Sequence, residues 1–182
     1  MPIPKTLEIN GVPYAVRGLL GKGKGGYSYL AERGGTLFVL KQLHHEPCDY
    51  YQFGDKLAAE QGDYARLTAA GIPVPKLLEI DAPNERLLKA YLPGPTIFEL
   101  VRDGGMRAEY VGQVRALSER ARAAGLNLDW FPTNFIPHDG TLWYVDYECN
   151  PYMPEWSFET WGIRYWSRTP EFEAHLASQQ AP

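Results

Sequence analysis

The chain has little cysteine: Cys48 and Cys149 are the only two in 182 residues. That is too few for a disulfide framework and fits a reducing compartment, with a single bridge between the two as the open alternative. It has no run of about 18 apolar residues, so no membrane-spanning helix is expected. The opening MPIPKTLEINGVPY carries no apolar signal core, and the expectation is a cytoplasmic protein with no membrane partner. Basic excess is missing too: the formal net charge is -4 and the sequence pI about 5.6. This argues against a general nucleic-acid binder, whose phosphate contacts need a concentrated positive face. No repeat or low-complexity tract stands out. What the sequence does supply is core material, with 45% hydrophobic, 13% aromatic and 22% charged residues. That balance suits an ordered globular protein with one core or two small lobes.

The hydrophobic period changes near the middle. From Thr6 to Leu92 the signals are strand-like: LEI, a tight NGV turn, PYAVRGLL, YSYLAER, a Gly34-Gly35 turn and TLFVLKQL, which together predict an antiparallel meander. One helix interrupts it, from Asp55 to Ala70, with Gly71 as its stop and Pro73 and Pro75 stiffening the exit. KLLEID and ERLLKAYL predict a hairpin around Ala82, Pro83 and Asn84. After LPGP, the residues Met106, Tyr110, Val111, Val114, Leu117 and Ala121 share a helical face that ends at Gly125. Thr169, Pro170 and Glu171 read as the N-cap and first turn of a terminal helix. The expected class is α+β: a single domain over 1–182 with a sheet-rich N-lobe (about 1–91), a connector (about 91–95) and a reduced, mainly helical C-lobe (about 96–182).

Within LGKGKGGYSYLAER, Gly21, Gly23 and Gly26 form a GxGxxG pattern. In a dinucleotide-binding fold such glycines lie between a strand and a helix, with an acidic residue about 20 positions on. Here a strand follows, and the residue at that distance is Lys41. Two readings stand: a lysine-rich surface hairpin, or a flexible hairpin lid whose backbone amides approach phosphate.

Two charged residues sit in apolar settings. Lys41 lies in TLFVLKQL, and Glu60 shares a helical stripe with Leu57, Tyr64 and Leu67. Either charge is costly alone, and an ion pair between them would satisfy both and hold the ammonium toward phosphates. A snorkelling lysine and a solvated glutamate at the edge of the stripe are the alternatives.

A second constellation lies in GLNLDWFPTNFIPHDGTLWYVDYECN, where Asp129, Asn134 and Asp146 fall on loop and strand ends and Pro132 stiffens the loop. One carboxylate can accept a proton from an attacking hydroxyl, while an amide and a second carboxylate hold a hard cation such as Mg²⁺. The alternative is an Asx-turn at DWFPTN and a turn cap at Asp146.

The ordered set Gly21, Gly23, Gly26, Lys41, Glu60, Asp129, Asn134 and Asp146 resembles the protein-kinase-like superfamily, over most of the chain to Glu148. LGKGKGG looks like the glycine-rich loop, FVLK like the strand carrying the phosphate-pairing lysine, NLDWFPTN like the HRDLKPEN catalytic loop and VDYE like the DFG segment. The resemblance implies a two-lobed fold that binds ATP and Mg²⁺. It makes Asp129 the residue facing the acceptor hydroxyl and Asn134 and Asp146 the metal ligands. Lys41, positioned by Glu60, would pair with the nucleotide phosphates, and Tyr91 and Leu92 in AYLPG would be the hinge contacts to adenine.

The departures shape the expected function. Asn127 replaces the HRD histidine, Phe131 the catalytic-loop lysine and Glu148 the DFG glycine, and no APE-like motif appears. DYE and GIPVPKLL are similar to aminoglycoside phosphotransferase and choline kinase relatives, and Glu148 is a possible further metal ligand by that likeness. The short stretch after Asp146 is similar to small atypical RIO-type kinases. The resemblance therefore implies a minimal serine/threonine-protein kinase, with a small-molecule kinase or a nucleotide-binding pseudokinase module as alternatives. The aromatic segment holding Trp156, Phe158, Trp161, Tyr165 and Trp166 is expected to pack the floor of the C-lobe.

Overall fold

The computed structural model describes residues 3–46 and 55–180. These form a mixed α+β structure containing a six-stranded, curled antiparallel sheet and, among the described residues, four α-helices. The residues group into two compact units. One holds the described residues up to Gly62 together with Pro75–Tyr91, and the other holds Asp63–Val74 together with residues 92–180.

In the first unit, β1 (Thr6–Ile9) and β2 (Val12–Lys22) are joined at Asn10 and Gly11, both at positive φ (50° and 79°). That two-residue turn matches the twist of the strands it links. β3 (Gly26–Arg33) and β4 (Thr36–Leu43) are joined through Gly34 and Gly35, and β5 (Leu77–Asp81) and β6 (Arg86–Ala90) form the last hairpin. The sheet order is β1-β2-β3-β4-β6-β5, with two register shifts along β2. Asp81 fixes one end of it: buried, it accepts from Asn10 N at 2.8 Å, Asn84 N at 3.2 Å and Asn84 Nδ2 at 2.9 Å. The Asn84 amide, more than any other contact, holds its carboxyl below the usual range against the opposing cost of burial. The core comprises Ile9, Tyr14, Ala31, Leu40 and Leu88, with a smaller cluster of Leu43, Leu57 and Leu87. β4 is less buried than its composition predicts, since Leu37 is 39% exposed.

α1 (Lys56–Ala69) begins where Asp55 Oδ1 accepts from Ala58 N at 3.0 Å and is followed by Gly71 at φ 73°. The stop thus falls where the sequence places it, and Asp55, expected as the first helical residue, is the cap one residue before the helix. Leu57 belongs to the small cluster of the first unit and Leu67 to the core of the second.

In the second unit a short helix that was not anticipated, α2 (Ile97–Asp103), precedes α3 (Ala108–Ala123), which is the helical run expected from Met106 to Gly125. α2 opens with a Thr96–Glu99 capping box and closes on Gly104 at φ 77°. Met106 lies before α3, half-buried against the core. The glycine pair 104–105 separates them, since a left-handed residue ends a helix and frees the chain to restart. Four short strands were not anticipated as sheets: β7 (Leu126–Leu128), β8 (Phe135–His138), β9 (Thr141–Tyr144) and β10 (Cys149–Pro151), of which β8 pairs with β9 and β10 with β7. α4 (Pro170–Gln180) is capped by Thr169, whose Oγ1 accepts from Phe172 N at 3.1 Å. The core gathers Ile97, Phe98, Val114, Leu117, Trp130, Phe135, Tyr144, Phe158, Trp166 and Phe172. Of the aromatic segment, Phe158 and Trp166 are buried there, Trp161 and Tyr165 are half-buried, and Trp156 is 53% exposed. Cys149 is a buried free thiol donating to Asp63 Oδ1 at 3.3 Å, and burial pushes it up to about 11. Cys48 lies outside the described residues. Among the described residues no helix is long and apolar enough to cross a membrane.

Candidate functional site

The predicted residues fall into two groups, one in each unit. Gly21, Gly23, Gly26, Lys41, Glu60 and Tyr91 belong to the first, and Leu92, Asp129, Asn134 and Asp146 to the second. Tyr91 and Leu92, both half-buried, lie on the irregular stretch after β6.

In the first group Lys41 lies centrally in the sheet, paired with Ser28 on β3 and Leu87 on β6. Its ammonium forms an ion pair with Glu60 Oε1, and the two side chains are only 11% and 13% exposed. The two sequence anomalies are therefore each other's partners, as desolvated charges require. Glu60 Oε2 is buried and has no hydrogen-bond partner among the described residues.

The three glycines do different jobs. A Cβ on Gly26 would come within 2.6 Å of the Gln42 carbonyl oxygen, so glycine is required there by the close pairing of β3 with β4. Gly21 has open space around it, and Gly23 donates its amide to Gly26 O at 2.9 Å, closing the tip of the hairpin. The tip is also latched to the chain beyond β4. Lys22 Nζ meets Glu46 Oε2 at 2.6 Å, Tyr27 donates its hydroxyl to Glu46 Oε1, and the His44 ring meets Gly23 O at 3.2 Å. The Lys22 ammonium, with help from the Tyr27 hydroxyl, lowers the Glu46 carboxyl to about 2. Lys24 remains exposed.

In the second group Asp129 follows β7, and Pro132–Asn134 is a single 3-10 turn leading into β8. Asp129 Oδ1 accepts from Phe131 N at 3.1 Å, and Asn134 Nδ2 donates to Asp129 O at 3.3 Å. The first contact is the Asx-turn foreseen as the bland alternative, and it orients the carboxylate in place. Val145 N donates to Asn134 O at 2.9 Å, and Asp146 Oδ1 accepts from Tyr147 N at 2.8 Å. These contacts bring Asp129, Asn134 and Asp146 onto adjoining backbone within one unit.

Sequence reasoning missed Tyr144. It is fully buried, its hydroxyl accepts from Asp129 N at 3.2 Å and donates to Glu148 O at 2.7 Å, and its ring lies 5.1 Å from that of Phe135. Burial, and after it the charges of Asp146, Asp129 and Glu148, raise the phenol well above its ordinary range. The signal was the alternation in TLWY, which buries Leu142 and Tyr144 and so directs a phenol inward, where it needs partners.

The departures at Asn127 and Phe131 acquire physical reasons. Asn127, buried, accepts from Trp130 Nε1 at 3.3 Å and donates to Met153 O at 3.2 Å, tying the Asp129 loop to a neighbouring segment. Phe131 packs among Phe98, Trp161, Tyr165 and His175, at ring distances from 4.9 to 6.4 Å.

As donors, Asn134 and Asp146 offer amide and carboxylate oxygen, the hard ligands that suit Mg²⁺. Among the described residues no group of three or more His, Cys, Asp or Glu forms a ready-made metal cage. Mg²⁺ does not need one, because it commonly keeps several waters and takes one or two carboxylates plus substrate phosphates. Compared with known proteins, the chain matches no family model and no curated protein.

Proposed function

We propose that the chain is an ATP- and Mg²⁺-dependent phosphotransferase with a two-lobed, protein-kinase-like fold and a protein serine or threonine hydroxyl as acceptor. The observation that carries this reading is the ion pair of Lys41 with Glu60 in the middle of a sheet, where a lone lysine would be expensive. It is supported by the gathering of Asp129, Asn134 and Asp146 on adjoining backbone.

In the proposed reaction Asp129 accepts the proton of the acceptor hydroxyl as its oxygen attacks the γ-phosphorus. The bond from that phosphorus to the β-γ bridging oxygen breaks, and ADP leaves with the electron pair. Lys41 neutralises phosphate charge, and Glu60 fixes the ammonium's position. Asn134 and Asp146 would hold Mg²⁺, which when bound offsets charge on the phosphates. Positioning and electrostatics supply the rate, with no covalent enzyme intermediate.

A small-molecule alcohol is the second reading for the acceptor. It is favoured by the half-buried rings of Phe131, Trp161 and Tyr165, beginning two residues from Asp129. Labelled ATP with Mg²⁺, offered generic protein acceptors and a panel of alcohols, separates the two. A nucleotide-binding module without chemistry predicts no transfer to either. Thermal shift then decides whether nucleotide binds at all, since a ligand at 100 times its dissociation constant stabilises by about 2.7 kcal/mol. Neither transfer nor a shift would overturn the reading.

A further inference from the structure

Tyr144 stands at the meeting of the two segments that carry the candidate acceptor-side and cation-side residues. Its ring fills a core position on β9, opposite Phe135 of β8, and phenylalanine would fill that volume as well. The hydroxyl adds two hydrogen bonds and nothing to packing. One comes from the backbone N–H of Asp129 at 3.2 Å and the other goes to the carbonyl of Glu148 at 2.7 Å. Between those ends the main chain carries Asp146, and Asn134 is joined to the same stretch through Val145 N.

We infer that Tyr144 is a positioning residue for the proposed transfer, its phenol setting the spacing between Asp129 and the Asp146–Glu148 segment. The inference rests on the phosphotransferase reading. A hydroxyl that donates to one backbone and accepts from another must stay protonated to do both. The spacing matters because reactions of this type lose rate steeply when the acceptor-side and cation-side groups are misplaced by a fraction of an ångström.

The test is Tyr144→Phe, with Phe135→Leu as a core variant that leaves the hydroxyl alone. In Tyr144→Phe, kcat for phosphate transfer falls about 10- to 100-fold, the range for partners that orient a metal or reacting group. KM for Mg²⁺-ATP moves less than about threefold, because nucleotide binding is not what the phenol controls. Hydrogen exchange at the Asp129 amide accelerates in the same variant. Phe135→Leu lowers the melting temperature and, below it, keeps kcat within about twofold of wild type. If Tyr144→Phe loses activity only in step with melting temperature, as Phe135→Leu does, the positioning role is overturned. An Asp129 amide that exchanges at the wild-type rate in Tyr144→Phe overturns the strap whatever the activity. A wild type that transfers no phosphate overturns the phosphotransferase reading and the catalytic half of this inference with it, and the exchange result then decides the strap alone.

Discussion

The Lys41–Glu60 pair and the Asp129 loop are held in place by different means. In the first, two charged side chains on a strand and a helix meet each other, with 11% and 13% of their surfaces exposed. In the second, each carboxylate is oriented by a backbone N–H, Phe131 for Asp129 and Tyr147 for Asp146, and a buried phenol links the two segments. The pair is bound up with the stability of its unit, since either member left alone is a desolvated charge. The loop carries groups whose orientation is built into the main chain, so they can be altered at less cost to folding. Charge substitutions should therefore damage the fold in one region and the chemistry in the other.

The largest effect expected is in the loop. Asp129→Asn keeps an oxygen for Phe131 N but cannot take a proton, and should lower phosphate transfer by about 10²- to 10⁴-fold. Its melting temperature should stay within about 2 °C of wild type, because little stability is removed. A full loss of nucleotide-dependent thermal shift in this variant would instead make Asp129 a binding residue. The pair should behave in the opposite way. Glu60→Leu removes the carboxylate paired with the Lys41 ammonium and should cost about 3 kcal/mol of stability in denaturant melts. Lys41→Met combined with Glu60→Leu should recover at least about 1 kcal/mol of that, a coupling a double-mutant cycle reads directly. Additive losses would show that the two side chains do not depend on each other.

This contrast also explains what the sequence could show. Lys41 and Glu60 were legible because each broke a hydrophobic pattern, and two misplaced opposite charges imply a contact between distant segments. The hairpins of the first unit were legible because Asn10-Gly11 and Gly34-Gly35 are strong turn signals between alternating strands. Tyr144 was not, because a tyrosine in a strand satisfies the pattern whether its hydroxyl is used or idle. α2 was missed for a different reason: the helical face read from the sequence begins at Met106, and the seven residues Ile97–Asp103 are too few to show a helical period of their own. The glycine loop was half legible. Its pattern could not distinguish Gly26, excluded from any side chain by the Gln42 carbonyl, from Gly21, which faces open space.

That last difference gives a stability contrast inside one motif. Gly26→Ala should cost about 1–3 kcal/mol, because the new Cβ collides with strand backbone that cannot yield without disturbing the β3–β4 pairing. Gly21→Ala should change stability by less than about 0.5 kcal/mol, so any loss of transfer it causes belongs to the hairpin's approach to phosphate. Equal destabilisation by the two would mean that both glycines serve the sheet.

The smallest expected effect is the acid response of the hairpin latch. The Glu46 carboxyl is lowered to about 2 by the Lys22 ammonium and the Tyr27 hydroxyl. A carboxyl lowered on folding stabilises the folded contact above its ordinary pKa, about 4.3, and that contribution is lost as pH falls. The latch should therefore be intact at neutral pH, weaken below about 4.3 and open as pH approaches the lowered value of about 2. Both partners are about half exposed, so salt should weaken the contact throughout. NMR titration of the Gly23–Gly25 amides and the Tyr27 ring reads this opening directly, and Glu46→Gln should abolish the transition. A midpoint near 4.3 in the wild type would mean that Lys22 and Glu46 are not paired in solution.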